Sequence, residues 1–77
     1  MRLDKYLKVS RLIKRRTIAN EACDNGLVNV NGRPVRASYE VKPGDRIALR
    51  LGSRAVTVEV LSVPESPRQG EVLYQEI

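Results

Sequence analysis

Gly26-Leu27-Val28-Asn29-Val30-Asn31-Gly32-Arg33-Pro34-Val35 is where the chain changes period. Before it, apolar residues recur at helical spacing; after it, they alternate. Gly26 follows the last residue of the helical pattern, where the left-handed conformation that closes a helix costs little without a Cβ. Leu27 to Val30 then reads as a short strand. Asn31-Gly32 marks a two-residue hairpin, because a type I′ turn needs positive φ at both central positions. Pro34 has no N–H to give a ladder, so the returning strand is short or lies at a sheet edge. The stretch predicts helices upstream and an antiparallel sheet downstream.

Upstream, Thr17 to Asn25 reads as a helix. Ile18, Ala19, Ala22 and Cys23 share one side of it, and Asn20, Glu21 and Asp24 the other. The small Ala19, Ala22 and Cys23 allow close packing on a preceding helix. Leu3, Tyr6 and Leu7, at i, i+3 and i+4, set the apolar face of that helix, with Arg2, Lys5 and Lys8 roughly opposite. Val9 and Ser10 interrupt it, and Arg11-Leu12-Ile13 forms a turn. A basic amphipathic helix can lie on a membrane, but one of about two turns with three apolar residues is better used on its own core.

Downstream, Val41-Lys42-Pro43-Gly44-Asp45 is a turn, with Asp45 as turn chemistry rather than a catalytic acid. Arg46 to Leu51 alternates with Ile47, Leu49 and Leu51 on one face. Gly52-Ser53 turns the chain into Arg54 to Leu61, with Val56, Val58 and Val60 inward. Pro64 to Gly70 has the composition of a mobile tail, and Tyr74 is placed in that tail. Val72 to Ile77 is left open between a last strand and a frayed end. The division expected is a domain over 1–61 and a C-terminal tail over 62–77.

A length of 77 residues holds one domain. Apolar residues are 42% and charged residues 30%, too apolar for intrinsic disorder. Trp and Phe are absent, so the core is built from Val, Leu, Ile and Ala. With one Cys and no His, an internal disulfide, a Cys/His zinc site and Ser-His or Cys-His nucleophile pairs are excluded. No metal or cofactor is expected, nor an enzyme: no carboxylate pair or Gly-rich phosphate loop sits in a motif. No apolar run approaches the ~20 residues of a transmembrane helix, and the N-terminal charges precede no apolar signal region. The cytoplasm is the expected compartment.

The positive charge is unevenly placed. Residues 1–16 carry seven bases against Asp4 alone, and residues 17–77 carry seven bases against eight acids. A basic segment beside a neutral body is the electrostatic footprint of a nucleic-acid binder.

Arg2-Leu3-Asp4-Lys5-Tyr6-Leu7, then Lys14-Arg15-Arg16-Thr17-Ile18-Ala19, then Gly26 to Gly32, then Val41 to Asp45 resemble, in that order, the S4-type RNA-binding domain. The resemblance covers roughly residues 1–61. It implies an α+β, S4-like fold, two short N-terminal helices packed on a small, mainly antiparallel sheet. It is strongest to the short stand-alone bacterial members of ribosome-associated quality control. Their role implies binding to the large ribosomal subunit rRNA and to peptidyl-tRNA held in the P-site, while an alanine-tailing factor extends the stalled chain. The alternative is a heat-shock-type ribosome-binding or ribosome-assembly factor with general rRNA and tRNA binding. A monomer is expected.

In that family the RNA surface lies on the two helices and the turn between them. Carried onto matching positions, it comprises Arg2, Lys5, Arg11, Lys14, Arg15, Arg16 and Thr17. Many members carry Ser at the position of Arg15, a natural helix N-cap that arginine cannot replace. Thr17, the backbone, or a start remodelled for phosphate then closes the helix. Guanidinium forks at a helix start suit phosphate oxygens. Asp4 is read as an acid that pairs with and orients a neighbouring cation. Tyr6 is read as core, Lys8 as peripheral, and Arg46, Arg50 and Arg54 as solvated strand positions.

Overall fold

The computed structural model describes residues 1–64 and 71–77. Among these residues two helices, α1 (Leu3–Val9) and α2 (Arg16–Asp24), precede five strands: β1 (Val28–Val30), β2 (Arg33–Pro34), β3 (Arg46–Leu51), β4 (Arg54–Val60) and β5 (Tyr74–Glu76). The strands form one antiparallel sheet in the order β2-β1-β3-β4-β5. The helices cover one face of it, as expected for the α+β class.

The period change at Gly26 lies where the sequence puts it. Asn31 and Gly32 have φ of 53° and 83°, both positive as a type I′ turn requires. Val30 pairs with Arg33 across that turn. Pro34 sits in a two-residue edge strand. Registers Val28↔Leu49↔Val56 and Val30↔Ile47↔Val58 align the apolar positions on the helix side. A slip of one residue would turn them all to solvent. Asn29, Ala48 and Thr57 pair across the opposite, uncovered face.

The core joins Leu3, Tyr6 and Leu7 of α1 to Ala19, Ala22 and Cys23 of α2 and to Val28, Val30, Ile47, Leu49, Val58 and Val60 of the sheet. With no Trp or Phe, Tyr6 is the largest fully buried side chain. Its hydroxyl donates to the Leu73 carbonyl at 2.8 Å. Burial pushes the phenol up to about 12, with a smaller contribution from Tyr74. Cys23 is buried too, and burial first, then Asp4 and Asp24, pushes its thiol up to about 11.

Three details differ from the sequence reading. Helix α1 runs through Val9, and α2 starts at Arg16 and ends at Asp24. Ile18 is 47% exposed although it shares a helical stripe with the buried Ala19, Ala22 and Cys23. The contact of α2 is made by its small residues, and their narrow arc leaves Ile18 outside. Tyr74 belongs to β5, opposite Val60 and half-buried against the core, so Val72 to Ile77 does supply a last strand. Residues 65–70, most of the expected mobile tail, lie outside the described residues.

Candidate nucleic-acid interface

Helix α1 starts against a loop. Its N-cap, Arg2, is extended and bridges Glu40. Leu3 N–H donates to Tyr39 O at 2.8 Å, and Asp4 N–H to Ala37 O at 3.1 Å. Lys5 N–H donates to the Asp4 carboxylate at 2.8 Å. These N–H groups are thus already used by the protein.

Helix α2 starts differently. Arg15 is the N-cap, extended, with no side-chain capping bond. Thr17 is exposed and does not supply the cap, and no acid lies in the first turn. The first intrahelical bond is Ala19 N–H to Arg15 O at 3.1 Å. The N–H groups of Arg16, Thr17 and Ile18 have no protein partner among the described residues. Free N–H groups and the positive end of the helix therefore lie beside Arg15 and Arg16.

Asp4 joins the two helix starts. It is 2% exposed. Arg2 offers Nε to Oδ1 and Nη2 to Oδ2, each at 3.3 Å. Arg16 offers Nε to Oδ2 at 3.3 Å, and Asn20 Nδ2 donates to the same oxygen at 3.4 Å. Burial alone would raise the Asp4 pKa. The hydrogen bonds from Arg16, Asn20 and Lys5 N–H, with the charge of Arg16, outweigh it and hold the carboxyl below its ordinary value. The acid expected to orient a neighbouring cation holds two.

The connection from Ser10 to Arg15 carries the remaining cations. Arg11 has φ of 65°, in the left-handed region. It occupies the position after the α1 C-cap, and its N–H donates to Lys8 O at 3.0 Å. Arg11, Lys14, Arg15, Arg16 and Thr17 are exposed, and Lys5 is half-buried. The structure brings Arg2 and Arg16 together on Asp4, with Arg15 adjoining Arg16. Arg11 and Lys14 stand on the connecting turn without a recorded side-chain partner among the described residues. Asn20 escaped the sequence reading: its only signal is the i, i+4 spacing from Arg16, and its acceptor is on the other helix.

Asp45 is a turn residue in fact. Its carboxylate accepts from Asn31 Nδ2 at 3.1 Å, Tyr39 Oη at 3.1 Å and Lys42 N–H at 3.0 Å. Arg46, Arg50 and Arg54 are exposed on the sheet. Among the described residues no group of three His, Cys, Asp or Glu could hold a metal ion, and no helix is long and apolar enough to cross a membrane.

The S4 domain family model matches residues 1–47. An RQC P-site tRNA stabilizing factor of Halalkalibacterium halodurans is 54% identical over 97% of this chain and 88% of its own length. The factor of the same description from Bacillus subtilis is 51% identical over 92% of this chain and 83% of its own. The solved trimeric structure of Vibrio cholerae heat shock protein 15 superposes with a TM-score of 0.91 at 31% identity, covering 100% of this chain and 81% of that one. A family match across the helices, hairpin and start of β3, with relatives matching nearly end to end, leaves one conclusion: the chain belongs to the S4 domain family.

Proposed function

We propose that the protein is an RNA-binding factor of ribosome-associated quality control. It binds the large ribosomal subunit and stabilises peptidyl-tRNA in the P-site while stalled nascent chains receive C-terminal tails. The observation that carries this reading is the cationic surface at the start of α2, where Arg2, Arg15 and Arg16 meet an uncapped helix end and the acid that holds two of them, Asp4, is buried. The relatives named as P-site tRNA stabilizing factors supply its biological setting.

The site consists of Arg2, Lys5, Arg11, Lys14, Arg15, Arg16 and Thr17. Fixed guanidiniums and free helix N–H groups suit phosphate oxygens, and a surface with few aromatics suits duplex RNA, which is recognised by backbone and shape. The protein acts by binding, not catalysis, in the cytoplasm and as a monomer, beside an alanine-tailing factor. Residues 1–61 are its RNA-binding domain, with 62–77 an appendage whose strand extends the sheet.

The test is co-sedimentation with purified large subunits, free or carrying peptidyl-tRNA. Preference for the tRNA-bearing subunits is expected. Equal binding to both, or binding to small subunits, would overturn the P-site reading. The 0.91 TM-score to heat shock protein 15 supports as second reading a heat-shock-type ribosome-binding or ribosome-assembly factor with general rRNA and tRNA binding.

A further inference from the structure

The least exposed carboxylate among the described residues lies beneath the basic surface of the helices. Asp4 is 3% exposed at its side chain, while the two arginines it holds are 50% and 47% exposed. Arg16 reaches the carboxylate through Nε at 3.3 Å, and its side chain is half exposed for a ligand. Arg2 gives Nε and Nη2, and half of its side chain likewise stays exposed. The two guanidiniums come from the starts of different helices yet reach the same carboxylate. Asn20 and Lys5 N–H donate to the same carboxylate, so it stays ordered whether or not the arginines are engaged.

We infer that Asp4 is a positioning residue for RNA binding: its buried carboxylate fixes Arg2 and Arg16 as one clamp for a phosphodiester backbone. The inference rests on the RNA reading of the helix surface. Its consequence runs against simple electrostatics. Replacing an acid by a neutral residue makes the protein one unit more positive, and the summed field then favours an anion. Preorganisation demands the opposite. Two freed arginines must be ordered when RNA binds, and ordering long side chains is costly. An Asn at position 4 would also turn N–H donors toward the guanidiniums.

The experiment compares the wild type, Asp4→Asn, Arg16→Ala, Arg2→Ala/Arg16→Ala and the triple variant that adds Asp4→Asn to the pair. Each is titrated against large ribosomal subunits carrying P-site tRNA at one fixed salt concentration, with circular dichroism as the fold control. Asp4→Asn is expected to bind roughly tenfold more weakly despite its extra charge. Added to the double variant it is expected to cause no further loss, because no clamp is left to position. Equal or tighter binding by Asp4→Asn, with Arg16→Ala weakened, overturns the inference and leaves the RNA surface standing. So does a further loss in the triple variant, which marks a structural role. Wild-type affinity in Arg16→Ala overturns the RNA reading itself and the inference with it. Should Asp4→Asn not fold, nitrogen-15 spectra of the wild type decide. Slowly exchanging Nε–H signals for Arg2 and Arg16 are expected, and exchange as fast as that of exposed arginines overturns the clamp.

Discussion

The Tyr6 hydroxyl hydrogen-bonds the Leu73 carbonyl at 2.8 Å, tying the first helix to the segment entering the last strand. The same carbonyl accepts from Leu61 N–H at 2.8 Å and Ser62 N–H at 3.2 Å. Tyr6→Phe therefore leaves no buried acceptor unpaired, and its cost is that of one hydrogen bond, about 1 kcal/mol. In a domain of this size that lowers Tm by about 4–8 °C in a thermal melt. RNA affinity is expected to stay at the wild-type value, because Tyr6 is buried.

The same phenol makes the fold sensitive to alkali. Burial raises the Tyr6 pKa from 10.0 to about 12, so the folded state favours the neutral form. The stability this contributes is fully present below pH 10 and is lost as pH rises toward about 12. Cys23, raised from 9.0 to about 11, acts in the same direction over a lower window. Denaturant midpoints between pH 9 and 12 are expected to fall for the wild type. The decline is expected to be shallower in Tyr6→Phe and, at its lower end, in Cys23→Ala.

Arg16 and Arg50 are both exposed arginines, one on the helix surface and one on the sheet. Arg16→Ala is expected to weaken binding to large subunits roughly tenfold and to lower the salt slope by about one. Arg50→Ala is expected to leave both near wild type. Wild-type affinity itself is expected to fall steeply with salt as counterions are released. Titrations at several salt concentrations check all three, and equal effects of the two substitutions would contradict the helix-surface assignment.

Arg11 separates stability from binding. Its φ of 65° costs a residue with a Cβ about 1–2 kcal/mol. Arg11→Gly removes that strain but loosens the unfolded chain by roughly 0.4–1 kcal/mol. Stability is expected to stay level or rise by about 1 kcal/mol, while ribosome affinity falls. Urea unfolding beside a binding titration tests the pair of signs.

What was legible in the sequence was what is decided locally. Asn31-Gly32 fixes its turn through the φ preferences of two adjacent residues. Leu3, Tyr6 and Leu7 define a face by spacing alone, and the unequal charge of residues 1–16 needs no structure to be seen. Long-range choices were not legible. Ile18 fits a helical stripe, but which arc of α2 is buried depends on how closely Ala19, Ala22 and Cys23 approach their partners. Strand β5 follows a polar stretch and exists through its pairing with β4. The pairing of Asp4 with a nearby cation was readable, but the choice of Arg16 and the help of Asn20 depend on how the helices cross.

The buried thiol has a practical corollary. Cys23 is the chain's single cysteine, and a thiol shifted to about 11 is almost wholly protonated at neutral pH. Maleimide reagents should therefore pass it by. Thr57 lies exposed on the uncovered face of the sheet, away from the helices. A fluorophore attached through Thr57→Cys would be the sole label on an otherwise unaltered chain, reporting arrival at and departure from the ribosome.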